Sequence, residues 1–226
     1  MTPAPPIVRV QIWDATVRLV HWLLVVLIGV SWWTAENGEL EYHRYSGYTV
    51  LGLLLFRIYW GFAGSSTARF AGFVRGPRTI LSYLKDLSSS AGRKSVVIGH
   101  NPLGALSVLV LLITLVAQVA LGLFAVDVDG IESGPLSHLV SFETGRACAQ
   151  VHHTLFNVLL ALIALHIAAV LFYLVFRRDN LVAAMIHGKR EIDAASGVAP
   201  AHAPRVPLIV GIVLAAAAVW WIASSG

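Results

Sequence analysis

The sequence predicts an all-α integral membrane protein. Of its 226 residues, 57% are apolar and 12% are charged, whereas soluble globular chains carry about 25% charged residues. The apolar residues gather into five runs, each near the roughly 20 residues that cross a hydrocarbon core as a helix. The charges fall between the runs, basic and acidic on alternate sides. This composition excludes a disordered chain, which would be polar and charged. It also leaves too little polar surface to clothe a water-facing enzyme.

The first run covers about 14–34, with Trp13 and Trp22 at one end and Trp32 and Trp33 at the other. Residues 1–12 carry one basic residue, Arg9, and three prolines. No small-residue cleavage site follows, so this run is expected to be a retained span and not a signal peptide. The second run, about 43–62, closes on Tyr59 and Trp60. Gly76-Pro77 then opens a stretch with Ile80, Leu81, Leu84 and Leu87 on one side and Arg78, Lys85 and Asp86 on another. That pattern predicts a short amphipathic helix lying on the membrane surface. The third run is about 102–126 and the fourth, the longest, about 149–176. The loop 127–148 between them is acidic and broken by Gly130, Gly134 and Pro135. A linker at 194–205, rich in Ala, Ser, Gly and Pro, leads to the fifth run at about 206–223, which ends in Trp220 and Trp221. The Trp and Tyr residues at the run ends suit interfacial belts. The chain is thus divided into residues 1–193 and an appended unit, 194–226.

Sidedness follows from the loops. One set carries Arg9 and Arg18, then Arg69, Arg75, Arg78, Lys85, Arg93 and Lys94 against Asp86, then Arg177, Arg178, Lys189 and Arg190. The other set carries Glu36, Glu39 and Glu41, then Asp127, Asp129, Glu132 and Glu143 with only Arg146. The positive-inside rule places the N-terminus in the cytoplasm and, after five crossings, the C-terminus outside. The net charge of +4 is therefore a matter of membrane side and not of nucleic-acid binding.

Four histidines lie within or at the edge of runs: His21 in the first, His43 opening the second, His152 and His166 in the fourth. A histidine inside a membrane is a functional hypothesis by default. The directions of the runs pair His43 with His152 towards the outer face and His21 with His166 towards the inner one. Between His152 and His166, fourteen residues fall roughly 40° short of four full turns and rise about 21 Å. The two therefore project from nearly one face, at two depths. His153 would be roughly 140° out of alignment with His166 by the same geometry. Paired imidazoles on facing helices suit the two axial positions of a haem iron. The single cysteine, Cys148, excludes covalent c-type attachment through Cys-x-x-Cys-His and Cys-based iron–sulfur or zinc sites. The competing reading of any one such histidine is a hydrogen-bonded packing residue.

Several neighbours join these candidates. Arg57 follows His43 by fourteen residues, placing it on the same face about 21 Å further in. A haem propionate would match its charge and fork, and the alternative is an arginine snorkelling to the edge. Arg44 is a candidate for the outer propionates or a plain interfacial charge. Gly47, one turn from His43, would let a porphyrin approach the backbone, or would serve helix packing. Arg18 is expected to pair with Asp14 across one turn. His100 and Asn101 open the third run at the inner face. They would suit a quinone carbonyl and its proton, while Asn101 before Pro102 equally suits a helix cap.

The ordered set Trp13-Asp14-x-x-x-Arg18-x-x-His21-Trp22, His43-x-x-x-Gly47-Tyr48, Leu55-Phe56-Arg57-x-x-Trp60-Gly61, Gly99-His100-Asn101-Pro102-Leu103-Gly104, His152-His153 and His166 resembles the bacterial cytochrome b561 family. It also resembles the related b-type cytochrome subunits of nickel–iron hydrogenases and formate dehydrogenases. The resemblance covers the first four runs and the basic loop. It implies a four-helix core with two noncovalent b haems, one on His21 and His166 and one on His43 and His152. It further implies electron exchange between membrane quinone and a partner at one surface, such as a periplasmic cytochrome c or an oxidoreductase subunit. The fifth run has no counterpart in compact four-helix members. Oligomeric state is left open, a homodimer among the options. Two other functions are carried as alternatives: a quinone-linked oxidoreductase acting on superoxide or another small oxidant, and a transporter whose histidines relay protons or bind a metal.

Overall fold

The structure, a computed structural model, describes residues 6–88, 99–193 and 200–226. Arg93, Lys94 and residues 194–199 of the expected linker lie outside the described residues, as do the side chains of Asp86 and Leu87. In chain order the elements are β1 (Ile7–Gln11), α1 (Ala15–Glu36), α2 (Leu40–Ala63), α3 (Phe70–Phe73), α4 (Pro77–Ser88), α5 (Pro102–Phe124), a 3-10 turn at Ser137–Leu139, α6 (Phe142–Phe176), α7 (Leu181–His187), β2 (Lys189–Asp193) and α8 (Arg205–Ala223).

Among the described helices, α1, α5, α6 and α8 are long and apolar enough to cross a membrane. α2 has the length, 24 residues, but carries Glu41, His43, Arg44 and Arg57. Its surroundings explain the lower apolarity. α2 packs against α1 and α8 and, more lightly, α5, burying Ser46, Val50, Leu54, Phe56, Arg57 and Trp60. A helix screened by its neighbours holds polar groups that lipid would expel. α6 instead packs chiefly on α5 and presents an apolar face outward, with Leu165 68% exposed.

The helix starts are written in side chains. The Asp14 carboxylate accepts from the Val17 amide at 2.8 Å, Asn101 accepts from the Gly104 amide at 2.7 Å ahead of Pro102, and Ser141 accepts from the Thr144 amide. Each satisfies an amide that a helix N-terminus leaves unpaired. The Ser141 cap opens α6 at Phe142, upstream of the fourth apolar run, with polar turns preceding the apolar stretch. The amphipathic helix expected after Gly76-Pro77 forms as α4.

The mostly helical expectation holds, with one small sheet added to it. β1 and β2 form a two-stranded antiparallel sheet, in register from Ile7 opposite Asp193 to Gln11 opposite Lys189. Both segments look like charged flanks in the sequence, yet paired strands satisfy their backbone groups, and the sheet buries Ile192. Gly188 closes α7 at φ +78°, and its carbonyl accepts from the Ile12 and Trp13 amides at 2.7 and 3.0 Å. A Cβ there would stand 2.6 Å from the Trp13 carbonyl oxygen. Gly188→Ala is expected to cost about 1–3 kcal/mol from the left-handed backbone alone, read as a lower melting temperature in detergent.

The last helix is not detached. The Ala201 amide donates to the Gln11 carbonyl at 2.8 Å, and α8 lies along α2. Gly211 permits this approach, since a Cβ there would meet Tyr59 at 2.6 Å.

Candidate functional site

The turn between α1 and α2 brings His43 beneath the end of α1. His43 Nδ1 lies 2.8 Å from the Ser31 carbonyl oxygen. The Ser31 and Ser46 hydroxyls, 2.7 Å apart, tie the two helices at the same level. From α6, His152 Nδ1 lies 2.8 Å from the Gln118 carbonyl oxygen on α5. A carbonyl only accepts, so both Nδ1 atoms carry the proton and both Nε2 atoms keep a lone pair. The two rings face each other with centres 6.1 Å apart and planes at 86°. Gly122 borders the His152 ring. A Cβ on Gly122 would stand 3.0 Å from His152 Cε1, whereas one on Gly47 would meet nothing within 4 Å. Arg44 forms an ion pair with Glu132 of the acidic loop at 3.3 Å.

Towards the basic end lies a second group. His21 on α1 and His166 on α6 are close enough for the charge of one to act on the other. His21 Nδ1 is buried with no hydrogen-bond partner, and His166 Nδ1 lies 3.4 Å from the Ser107 hydroxyl. His100 sits between the rings of Trp13 and Phe73, at 4.6 and 4.5 Å. Burial, and then the charges of Arg57 and His166, push its pKa down to about 3, so the imidazole is neutral at physiological pH. Arg57 is 7% exposed. Its guanidinium lies 5.3 Å from the centre of the Phe70 ring, and Nη1 is buried without a partner. Asn101 caps α5 and also reaches the Tyr173 hydroxyl, which is 2.9 Å from that of Tyr83.

One expected pair does not form. The Arg18 guanidinium donates to the Ile186 carbonyl and makes no ion pair with Asp14. Asp14 is buried, where it accepts from Val17, from Trp60 Nε1 at 3.2 Å and from the Ser65 hydroxyl. A carboxylate committed to three donors from its own neighbourhood has no reason to reach outward for an arginine.

Residues 12–188 match the family described as prokaryotic cytochrome b561. The chain belongs to that family. No curated protein and no solved structure matches it. The matched stretch contains all the histidines described above and ends before α8. Membership makes this cytochrome b561 an integral membrane protein of transmembrane electron transfer that binds b-type haem. Among its described residues, no group of three or more His, Cys, Asp or Glu converges as a metal-ion site would need.

Several site residues of this cytochrome b561 escape sequence reasoning. Ser31, Gln118 and Ser107 act on histidines, two of them through backbone carbonyls that any residue could supply. Gln118 alone left a trace, as an amide side chain in an otherwise apolar run. Gly122 shows its role only once α5 and α6 are packed together.

Proposed function

We propose that this cytochrome b561 conducts electrons across the membrane through two b haems, held by His43 with His152 and by His21 with His166. One observation carries the reading: the His43 and His152 rings, each with Nδ1 tied to a carbonyl and Nε2 free, stand 6.1 Å apart. Imidazole nitrogens bind metals at about 2.0–2.1 Å. Two such rings on opposite sides of one ion therefore have centres roughly 6 Å apart by the same distances. The donor set fits the group. When bound, each haem supplies a one-electron iron couple in a low-dielectric setting.

The chain's own residues do the rest. The Ser31 and Gln118 carbonyls orient the outer imidazoles and raise their basicity. Gly47 leaves space beside His43 where a side chain would intrude. Arg57, a buried cation with an unsatisfied nitrogen, would hold a propionate of the inner haem, since a buried charge without a partner is costly. Arg44 already has an acidic partner in Glu132, so its claim on a propionate is weaker than that of Arg57.

We assign five crossings, with α2 as the second, in a bacterial plasma membrane, the basic end inside. His100 and Asn101, beside Tyr173, form the proposed quinone contact, where a neutral imidazole would hydrogen-bond a quinone oxygen without taking up a proton. The opposite end presents Asp127, Asp129 and Glu132. That charge favours a basic protein partner, such as a periplasmic cytochrome c, by complementarity. It disfavours an anion such as superoxide, which it would repel.

Reduced-minus-oxidised spectra of the purified protein test the reading, with haem counted per polypeptide. Low-spin b-type bands with two haems are expected, and a chain that retains a single haem overturns the paired arrangement. Gly122→Val probes the outer site alone. The new side chain must displace the His152 ring, so the outer haem is expected to be lost or converted to high spin while the inner bands persist.

A further inference from the structure

We infer that a cleft at the basic end of this protein binds a phosphate group, with its chemistry set by Arg18 and Lys189. The cleft, of about 490 Å³, is lined by Arg9, Arg18, Ile186, His187 and Lys189. These come from β1, α1, α7 and β2, so no single element's sequence displays it. Three of the five lining residues are permanent cations. None of the lining residues is acidic, and Glu191, which pairs with Arg9 at 3.0 Å, is not part of the lining. Neither Arg18 nor Lys189 forms an ion pair among the described residues.

The site is built and not merely charged. Arg18 Nη1 donates to the Ile186 carbonyl, and a Cβ on Gly188 would lie 3.0 Å from Arg18 Nε. The guanidinium is thereby fixed against the wall of the cleft. Trp22 Nε1 donates to the Met185 carbonyl. The last carbonyls of α7, which would otherwise repel an anion, are thus occupied by donors. A fixed guanidinium beside an ammonium suits phosphate oxygens, one by its fork and the other as a point charge.

The surroundings favour a phosphate attached to lipid. Leu19, Trp22 and Ile186 are exposed apolar neighbours of the cleft, and Trp22 lies one turn along α1 from Arg18. An apolar rim continuous with the membrane-facing side of α1 would take acyl chains, while the cations take the headgroup. Basic pockets at helix ends on the cytoplasmic side recognise anionic lipid in this way. The inference does not use the haem assignments, and its failure would leave them untouched.

The test uses the whole protein in nanodiscs of mixed phosphatidylglycerol and phosphatidylcholine, with retained lipid counted by native mass spectrometry. In parallel, inorganic phosphate is titrated against the protein in detergent and binding followed calorimetrically. Preferential retention of phosphatidylglycerol is expected, weakened roughly fivefold by Lys189→Gln. Arg18→Gln is expected to weaken it similarly. Arg78→Gln, a cation on the exposed surface of α4, should leave it unchanged. Saturable binding of inorganic phosphate, lost in the same two variants and without lipid preference, would keep the phosphate site and assign it to the free anion. No binding of either probe overturns the inference, as does binding that Lys189→Gln and Arg18→Gln leave unaltered in variants with wild-type haem spectra.

Discussion

His152→Ala is expected to halve the haem bound per polypeptide. Removing that imidazole leaves His43 as a single ligand and opens the space beside Gly122. The inner pair is about four helical turns away along α6, so its bands should survive. His153→Ala is the internal control. Its side chain is turned about 100° from that of His152 and is exposed, so both haems should remain. Exogenous imidazole, small enough to enter the space left by the truncated side chain, is expected to restore the missing bands. A His152→Ala protein with full haem content would remove the basis for the outer assignment, and loss of haem from His153→Ala would move the ligand by one residue.

The largest effect on stability is expected at Asp14. Its carboxylate caps α1 and takes hydrogen bonds from Trp60 on α2 and from Ser65 beyond it. Truncation to alanine forfeits a cap worth about 1 kcal/mol. It also strands a buried indole N–H and a buried hydroxyl at about 1–3 kcal/mol each. The sum, about 3–7 kcal/mol, is a large share of the marginal stability of an ordinary domain. Asp14→Asn keeps an acceptor for the cap and should lose less, and Ser65→Ala removes one bond and should lose least. Thermal unfolding in detergent ranks the three, and an Asp14→Ala protein that melts with the wild type would show the network to be ornamental.

The difference between these two sites explains what the sequence discloses. Ligand candidates stand out because histidine is out of place among apolar residues, and because helical geometry converts spacing directly into depth and face. The runs at 14–34, 102–126 and 206–223 translate almost unchanged into α1, α5 and α8. Asp14 was visible only as a residue near an arginine, and helix spacing proposed the wrong partner. Its true partners, Trp60 and Ser65, come from residues that periodicity cannot relate to it. The strands β1 and β2 were hidden for the same reason. Five residues with alternating side chains say little until their partner is known, and here the two strands lie just beyond opposite ends of the matched family region. The polar first turns of α6 lie outside the apolar run because hydropathy reports the solvent around a helix and not its hydrogen bonds.

The clasp of β1 on β2 also carries a consequence for the order of assembly. Arg9 and Glu191, which join across it, are 182 residues apart. A ribosome delivers the first strand at the outset and the second only after α6 has left the exit tunnel, since synthesis runs from the N-terminus. The helices bearing His21 and His166 are therefore threaded separately and latched together last, by residues that touch neither ring. Truncation upstream of Lys189 would leave His21, His43, His152 and His166 in the chain and yet remove the fastener, along with α8.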